Sequence, residues 1–523
     1  MSRKQNVIAM AMAVSLFAAM LLVFLRNQLY PLATQETIII LVCLTVAGMV
    51  AGAALVFSGR ILTAVIIGVL ITVFFNHVFD WQAIGIRSRY SVPAGFVIGF
   101  ALSYFMRANL HTILLAGAGA IIFSSVALKD DDVWMVETKN VSDTDRQGTG
   151  TLPPVIHIIL DEHIGVEGIP RLVKGGHEIR ENIKSFYREN GFALYGKAIS
   201  RFLMSHNSIP DFFNFRGVQT DWQLSNYSSS RGFVIQKNDY FQAVRKKGFD
   251  IEVLQTDLMD FCSAGVDIKK CTTIRYKSLG WVAKTKLPTA EKLYIVGSAL
   301  LNRATIYQVL EQAYSRLRMR SLDWGLELPS VLTNTASYAP ISMIPLFDET
   351  IDTANRIKPG TYLLSHIMLP HSPSVFEPNC QLERGAREWT AATIPDRYEL
   401  YLRQLGCTYT LLRQFMARQA QSDVDPQPII IIQGDHGSRI HYSEPGLPEE
   451  LQSFSTLYAI KWPGKTARYI DDNARDISSL LLETVLEPLG IAAPDVSGSA
   501  NIMRKIGDSD KYDKLPFEGF RPK

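Results

Sequence analysis

The chain has 523 residues, enough for a membrane portion plus one large globular domain, and its 53 Lys and Arg nearly balance its 50 Asp and Glu. A net charge of +3, with no basic stripe interleaved with aromatics, argues against a nucleic-acid partner. The distribution is more telling than the total: Glu36 and Asp80 are the only acids in residues 1–127, whereas 128–523 have ordinary soluble composition.

Hydropathy in the first part breaks into about five blocks of spanning length, near 6–25, 37–58, 61–79, 92–106 and 109–127. Ser2-Arg3-Lys4 ahead of the first block has the look of a signal peptide, but no small-residue cleavage site precedes Arg26 and more apolar blocks follow at once. An inside amino terminus collects Arg3, Lys4, Arg60 and Arg107 on the inner side and leaves Arg26, Arg87 and Arg89 on the outer. Five crossings would then put residues 128–523 outside the cytoplasm, in the periplasm or at the cell exterior. Cysteine use fits export: Cys43 lies in an apolar block, and the close pair Cys262 and Cys271 leaves Cys380 and Cys407 as a second pair.

The resulting division is a transmembrane helical domain at 1–127, a polar linker at 128–152 and one soluble domain at 153–523. Pro153-Pro154 leads into Val155-Ile156-His157-Ile158-Ile159-Leu160, a buried strand ending in Asp161-Glu162-His163. Further strands follow at 249–254, at Gly360 to His366 and at Ile429-Ile430-Ile431-Ile432, with an amphipathic helix from Glu399 to Ala420 between the last two. This alternation predicts an α/β fold with a mostly parallel sheet and flanking helices. Residues 283–318 have helical periodicity and apolar positions suited to lying against the membrane helices.

Several strand ends present chemistry: Asp161 with Glu162, His366 leading to His371, and Asp435-His436-Gly437 after the Ile run. In an open parallel sheet such ends converge on one crevice, and carboxylates with an imidazole are good ligands for a divalent metal. Ser205-His206-Asn207-Ser208-Ile209-Pro210 precedes a helix start, where backbone N–H groups favour an anionic phosphoryl or sulfuryl group beside a hydroxyl.

An acid after the first strand, then Ser-x-x-Ser-x-Pro, His-x-x-x-x-His and Asp-His-Gly, in that order, resembles the alkaline phosphatase and sulfatase superfamily. With the apolar first part, the chain is similar to the membrane phosphoethanolamine transferases and lipoteichoic acid synthases. The resemblance implies an alkaline-phosphatase-like domain and one divalent metal, zinc first, with manganese or calcium as alternatives. It implies metal ligands Asp161, Glu162, Ser205, Asp435 and His436, a nucleophile at Ser205, and His366 and His371 on the substrate side as leaving-group acids or phosphate holders. Ser208 is then a capping residue. Glu162 is either a second ligand or a neighbour, and His163, His206 and His441 are polar residues that a strand end collects without a necessary role.

The expected activity is transfer of phosphoethanolamine or phosphoglycerol from a phospholipid donor to an envelope glycan or lipid acceptor, through a covalent Ser205 intermediate at the cell inner (plasma) membrane. Those transferases usually carry Thr where this chain has Ser205, so a phosphodiesterase or sulfatase hydrolase is the alternative. Ser208-Ile209-Pro210-Asp211-Phe212 lacks the Arg of a formylglycine signal, which weighs against an ordinary sulfatase. A non-catalytic envelope assembly protein with the same fold is the third reading.

Overall fold

The computed structural model describes residues 3–78, 88–127, 134–139, 152–215, 225–228, 232–302, 335–382, 394–492, 501–505 and 512–517, with scattered positions between 313 and 326. It divides into two units, Met1–Trp134 with Lys277–Tyr338, and Met135–Tyr276 with Ala339–Lys523.

The first unit holds α1 (Arg3–Asn27), α2 (Gln35–Phe57), α3 (Arg60–Val78) and α4 (Ser88–Ala127). Many of their large apolar side chains are exposed, among them Ile38, Val42, Val46, Val50, Phe57, Ile61 and Phe123, as expected of surface that faces lipid. Among the described residues, four helices are long and apolar enough to cross a membrane. The expectation of five spans is therefore corrected: the blocks at 92–106 and 109–127 belong to one continuous helix of 40 residues. Met106-Arg107-Ala108-Asn109 contains no Pro or Gly to break it. At 1.5 Å per residue α4 is about 60 Å long, roughly twice the hydrocarbon thickness, but it cannot reverse direction as two crossings require. An even number of crossings returns the chain to its starting side, so Lys and Arg counts no longer place the soluble part outside. The helix Thr289–Asn302, from the segment expected near the membrane helices, packs along α2, and Thr289 Oγ1 hydrogen-bonds Gln35 Oε1 at 3.1 Å.

The second unit is built on a nine-stranded sheet. In chain order its strands are β1 (Met135–Lys139), β2 (Val155–Leu160), β3 (Ala193–Tyr195), β4 (Asp250–Thr256), β5 (Lys270–Ile274), β6 (Thr361–Ile367), β7 (Ile429–Gly434), β8 (Tyr458–Lys461) and β9 (Arg468–Ile470). They lie in the order β1-β5-β4-β6-β2-β7-β8-β3-β9. The central run β5-β4-β6-β2-β7 is parallel throughout, whereas β1, β8 and β3 pair antiparallel with β5, β7 and β8. The expected fold class, a mostly parallel sheet with flanking helices preceded by apolar helices, is present. β1 falls inside the segment expected to be a linker, the rest of which is largely outside the described residues. Its Met-Val-Glu-Thr-Lys stretch caps the exposed edge of β5.

Strands β2, β6 and β7 are fully buried on both faces, which explains their unbroken apolar runs. Side chains alternate between faces, so Val155 and Ile159, Tyr362 and Leu364, and Ile429 and Ile431 share one face and one core cluster. On that face they meet Ile209, Phe212 and Phe213 of α5 (Ser205–Phe213), and Tyr240 and Phe241 of the helix Asp239–Lys247. His157 also lies on it, bonded to Tyr362 Oη at 2.6 Å, and burial pushes its pKa down to about 3. On the opposite face Ser365 hydroxyl pairs with Thr350 of the helix Met343–Ala354 at 2.7 Å.

Both expected cysteine pairs are disulfides, Cys262–Cys271 and Cys380–Cys407, and Cys43 is free. Peptide mapping of unreduced protein should recover those two cross-links, with alkylation confined to Cys43. Recovery of any of the four as free thiols, or in exchanged pairs, would contradict the structure. A His that is neutral when folded stabilises above its unfolded pKa and loses that contribution as pH falls. Wild-type stability should therefore decline as pH drops from about 6.5 toward about 3, and His157→Gln should flatten that decline in urea titrations at stepped pH.

Candidate metal centre and its Arg-lined flank

Register alone assembles the centre. In the parallel ladder Ile159 faces both His366 and Gln433, and Leu160 faces Gly434. The next residues, Asp161 and Asp435, therefore emerge side by side at the carboxyl ends of neighbouring strands, on the face that carries α5. His366 stands one step behind them on β6. The first residue of α5 is Ser205, whose Oγ lies 3.3 Å from both carboxylate oxygens of Asp161 and 3.5 Å from His436 Nε2.

Gly437 lets the Asp-His turn close. A Cβ there would come within 2.4–2.7 Å of the carbonyl oxygens of Gln452, Ser453 and Ser455, so no larger residue fits without moving backbone. His436 Nδ1 lies 2.8 Å from the Gly437 carbonyl, to which it donates, and this orients Nε2 toward the aspartates, 3.5 Å from Asp435 Oδ2 and 3.9 Å from Asp161 Oδ1. Asp435 Oδ1 accepts the Glu162 and His436 backbone N–H groups at 2.9 and 2.8 Å, but its buried Oδ2 has no hydrogen-bond partner, with His436 Nε2 3.5 Å away.

Asp161, Asp435 and His436 each offer one donor atom, all within 4.8 Å of one another, and all three residues are buried. Burial, reinforced by the negative charge of Asp161, pushes the Asp435 carboxyl above its ordinary range. Two carboxylates forced together out of water call for a cation, and the unpartnered Oδ2 of Asp435 is an atom such a cation would satisfy. The donor set fits a divalent metal. His366 is closed to solvent, its Nε2 is 3.6 Å from Asp161 Oδ2, and neither ring nitrogen has a hydrogen-bond partner. His366 therefore sits beside Asp161, next to the three donor residues.

Glu162 is likewise corrected as a metal ligand. Its backbone adopts the left-handed region, φ 63°, a conformation that costs a non-glycine residue about 1–3 kcal/mol and that survives where surroundings enforce it. The turn sends the carboxylate away from Asp161 and onto Arg439, which reaches Oε1 through Nε at 3.2 Å and Oε2 through Nη2 at 2.9 Å. The backbone N–H groups of Arg439 and Ser372 complete its shell at 3.2 and 3.3 Å. With Glu162 buried, loss of Arg439 alone would strand a charge at a cost of about 3–5 kcal/mol.

His371 meets the same guanidinium: Arg439 Nη2 lies 2.8 Å from His371 Nε2. Arginine can only donate, so Nε2 must accept and the ring proton sits on Nδ1, bonded to the Ser372 carbonyl. No proton faces the crevice from this ring, so the expected leaving-group acid is not in place here. Ser208 is also not a cap; it lies inside α5, buried, with its hydroxyl unpartnered. His441 bonds Ser453 Oγ at 2.6 Å, His206 stacks on Phe233, and His163 lies 3.1 Å from Tyr409 Oη, all away from the cluster. Arg439 was not singled out from sequence, although Asp-His-Gly-Ser-Arg puts it only three residues past His436.

No family model and no curated protein match this chain. Among solved structures it is similar to a protein in the alkaline phosphatase superfamily from Vibrio parahaemolyticus, at 12% identity and TM-score 0.41, covering 71% of this chain and 81% of that one. It is also similar to a phosphonate monoester hydrolase from Silicibacter pomeroyi, at 11% identity and TM-score 0.41, covering 66% and 75%. A third is a 2-O GAG sulfatase, at 12% identity and TM-score 0.40, covering 66% and 72%. Likeness this remote assigns neither family nor activity.

Asp435→Ala removes a donor and one of the two crowded carboxylates together. We expect the purified variant to drop from about one divalent ion per chain to near none by elemental analysis, with its circular dichroism spectrum unchanged. Unchanged metal content would show that the centre lies elsewhere.

Proposed function

We propose that this chain is a membrane-attached enzyme that transfers a phospho-substituent, phosphoethanolamine or phosphoglycerol, from a phospholipid to a hydroxyl on an envelope glycan or lipid. The observation that supports this best is the Ser205 hydroxyl, at the first turn of a helix, aimed at both oxygens of Asp161 within the candidate metal cluster. Asp161, Asp435 and His436 would hold the metal, for which this mixed oxygen and nitrogen set suits zinc, with manganese or calcium as alternatives. Such an ion, when bound, lowers the pKa of a neighbouring hydroxyl and neutralises charge on phosphoryl oxygens.

The residues of the chain divide the remaining work. Asp161 orients the Ser205 O–H and accepts from it at the amino terminus of α5. Ser205 Oγ bonds to phosphorus as the bond to diacylglycerol breaks, and the acceptor hydroxyl later displaces Ser205. Attachment to the bilayer keeps the donor headgroup at high effective concentration. The disulfides support placing the second unit outside the cytoplasm, and four crossings then put the amino terminus on the same side. Hydrolysis of a phosphodiester or sulfate ester, with water resolving the intermediate, is the second reading, which Ser in place of Thr at 205 leaves open.

Protein taken directly from membranes should carry the transferred group on Ser205 by mass spectrometry. Ser205→Ala should lose turnover by on the order of a thousandfold or more while keeping metal and thermal stability, and Ser205→Thr should stay active. Rapid multiple turnover of labelled phospholipid without any acceptor would favour the hydrolase. An active Ser205→Ala protein would remove the covalent route altogether. For topology, a reporter fused at residue 130 should be active only outside the cytoplasm; activity confined to the cytoplasm would overturn the placement.

A further inference from the structure

Between β5 and β6 the chain leaves the sheet, and Lys277–Tyr338 belongs to the first unit with the apolar helices. Its return is tightly seated. The Leu279 and Gly280 N–H groups both donate to the Gln28 carbonyl at 3.0 Å, in the turn joining α1 to α2. A Cβ at Gly280 would come within 2.4 Å of the Leu29 carbonyl oxygen, so glycine lets the two backbones meet. Trp281 and Val282 are fully buried, and helix Thr289–Asn302 then starts beside Gln35, the first residue of α2. One side of that helix carries buried Ile295, Val296 and Ala299. On the opposite side Tyr294 and Leu301, seven residues apart, are 45% and 50% exposed. A Cβ on Gly297, between them, would meet no atom within 4 Å. Farther on, Leu317, Trp324 and Leu326 are exposed beside exposed Arg316 and Arg320. The stretch 277–338 has eight Lys and Arg against four Asp and Glu.

We infer that Lys277–Tyr338 is a second membrane-binding element, in which helix Thr289–Asn302 lies in the interfacial layer of an anionic phospholipid bilayer. The inference rests on the reading above that the apolar helices are embedded in a membrane. A helix with apolar side chains on opposite sides needs a non-aqueous neighbour on each. Packing along α2 supplies one, and α2 itself exposes Ile38, Ile39 and Val42, so lipid is the neighbour this unit offers for the other. The helix cannot itself cross, because 14 residues rise about 21 Å, short of the ~30 Å hydrocarbon core. It starts beside the first residue of α2, where a crossing helix enters the boundary layer. Tyr and Trp favour that boundary because each joins an apolar ring to a polar group. Exposed Lys284, Lys286, Arg316 and Arg320 select negative headgroups over neutral ones. An insertion within the enzyme's own sequence thus grips the bilayer in addition to the amino-terminal helices.

The test reads nitroxide depth in the full-length protein reconstituted in vesicles of phosphatidylglycerol mixed with phosphatidylcholine. Cys43, the free cysteine on α2, is exposed and serves as the lipid reference. In a Cys43→Ser background, single labels go at Tyr294→Cys, Leu301→Cys, Trp324→Cys and Lys284→Cys. All four native side chains are exposed, so folding should survive, with both disulfides intact as the check. Labels at 294, 301 and 324 should be relaxed by oxygen and lose relaxation by a water-soluble nickel chelate, as at Cys43, while the label at 284 keeps it. In vesicles of phosphatidylcholine alone the label at 324 should gain nickel access and Cys43 should not; equal depth at 324 in both lipids would overturn the anionic assignment. Nickel access at 294 and 301 with Cys43 in lipid would overturn the inference and leave the membrane reading standing, whereas nickel access at Cys43 as well would sink the membrane reading itself. Spin coupling at 294 or 301 that unlabelled protein dilutes away would assign that side to a second copy, and shielding from both reagents would assign it to another part of this chain. Either result overturns the inference.

Discussion

Two aspartates that cannot escape each other organise this protein. Asp161 and Asp435 end adjacent parallel strands in register, both are buried, and the imidazoles of His436 and His366 lie beside them. Adjacent strands are about 4.8 Å apart, so the sheet itself enforces the proximity. A pair of like charges at that spacing in a dry pocket is expensive, and the folded state tolerates it only with a counter-cation or a shared proton. Asp435 already carries an upward-shifted carboxyl and an oxygen with no hydrogen-bond partner. Each is what a divalent ion would relieve.

The flank of the crevice solves the complementary problem. Glu162 sits next in sequence to Asp161 and would make a third carboxylate in the same space, were its backbone not turned into the left-handed region. That single turn separates the acids into a metal-facing pair and an arginine-facing one. The result is a pair of buried aspartates beside Ser205 at the start of α5 and a third carboxylate bound to Arg439.

How much of this was legible in the sequence depended on whether a residue's role was set by local pattern or by a neighbour far along the chain. Strand ends are local: the runs before Asp161 and Asp435 mark both as sheet-edge residues, and the stretch before Pro210 marks Ser205 as helix-starting. The strand that carries His366 is legible, but its nearness to Asp161 follows from register with β2, which the sequence does not show. Glu162 and His371 were misjudged for a different reason. Their partner is Arg439, and nothing in the spacing of 162, 371 and 439 announces that three loops meet. The apolar helices show the same limit, since hydropathy sees length and polarity at Arg107 but not whether the helix continues through it.

A bound cation that stabilises the Asp161 and Asp435 pair would show in thermal unfolding of the full chain in detergent before and after chelation. The wild-type midpoint should fall on chelation and recover with zinc, because an ion that binds only the folded state stabilises it by mass action. The variant with Asp161→Asn and Asp435→Asn, which removes the repulsion and the ligands together, should be indifferent to the chelator. A wild-type midpoint that does not move when metal is removed, with the double variant behaving the same way, would contradict the account.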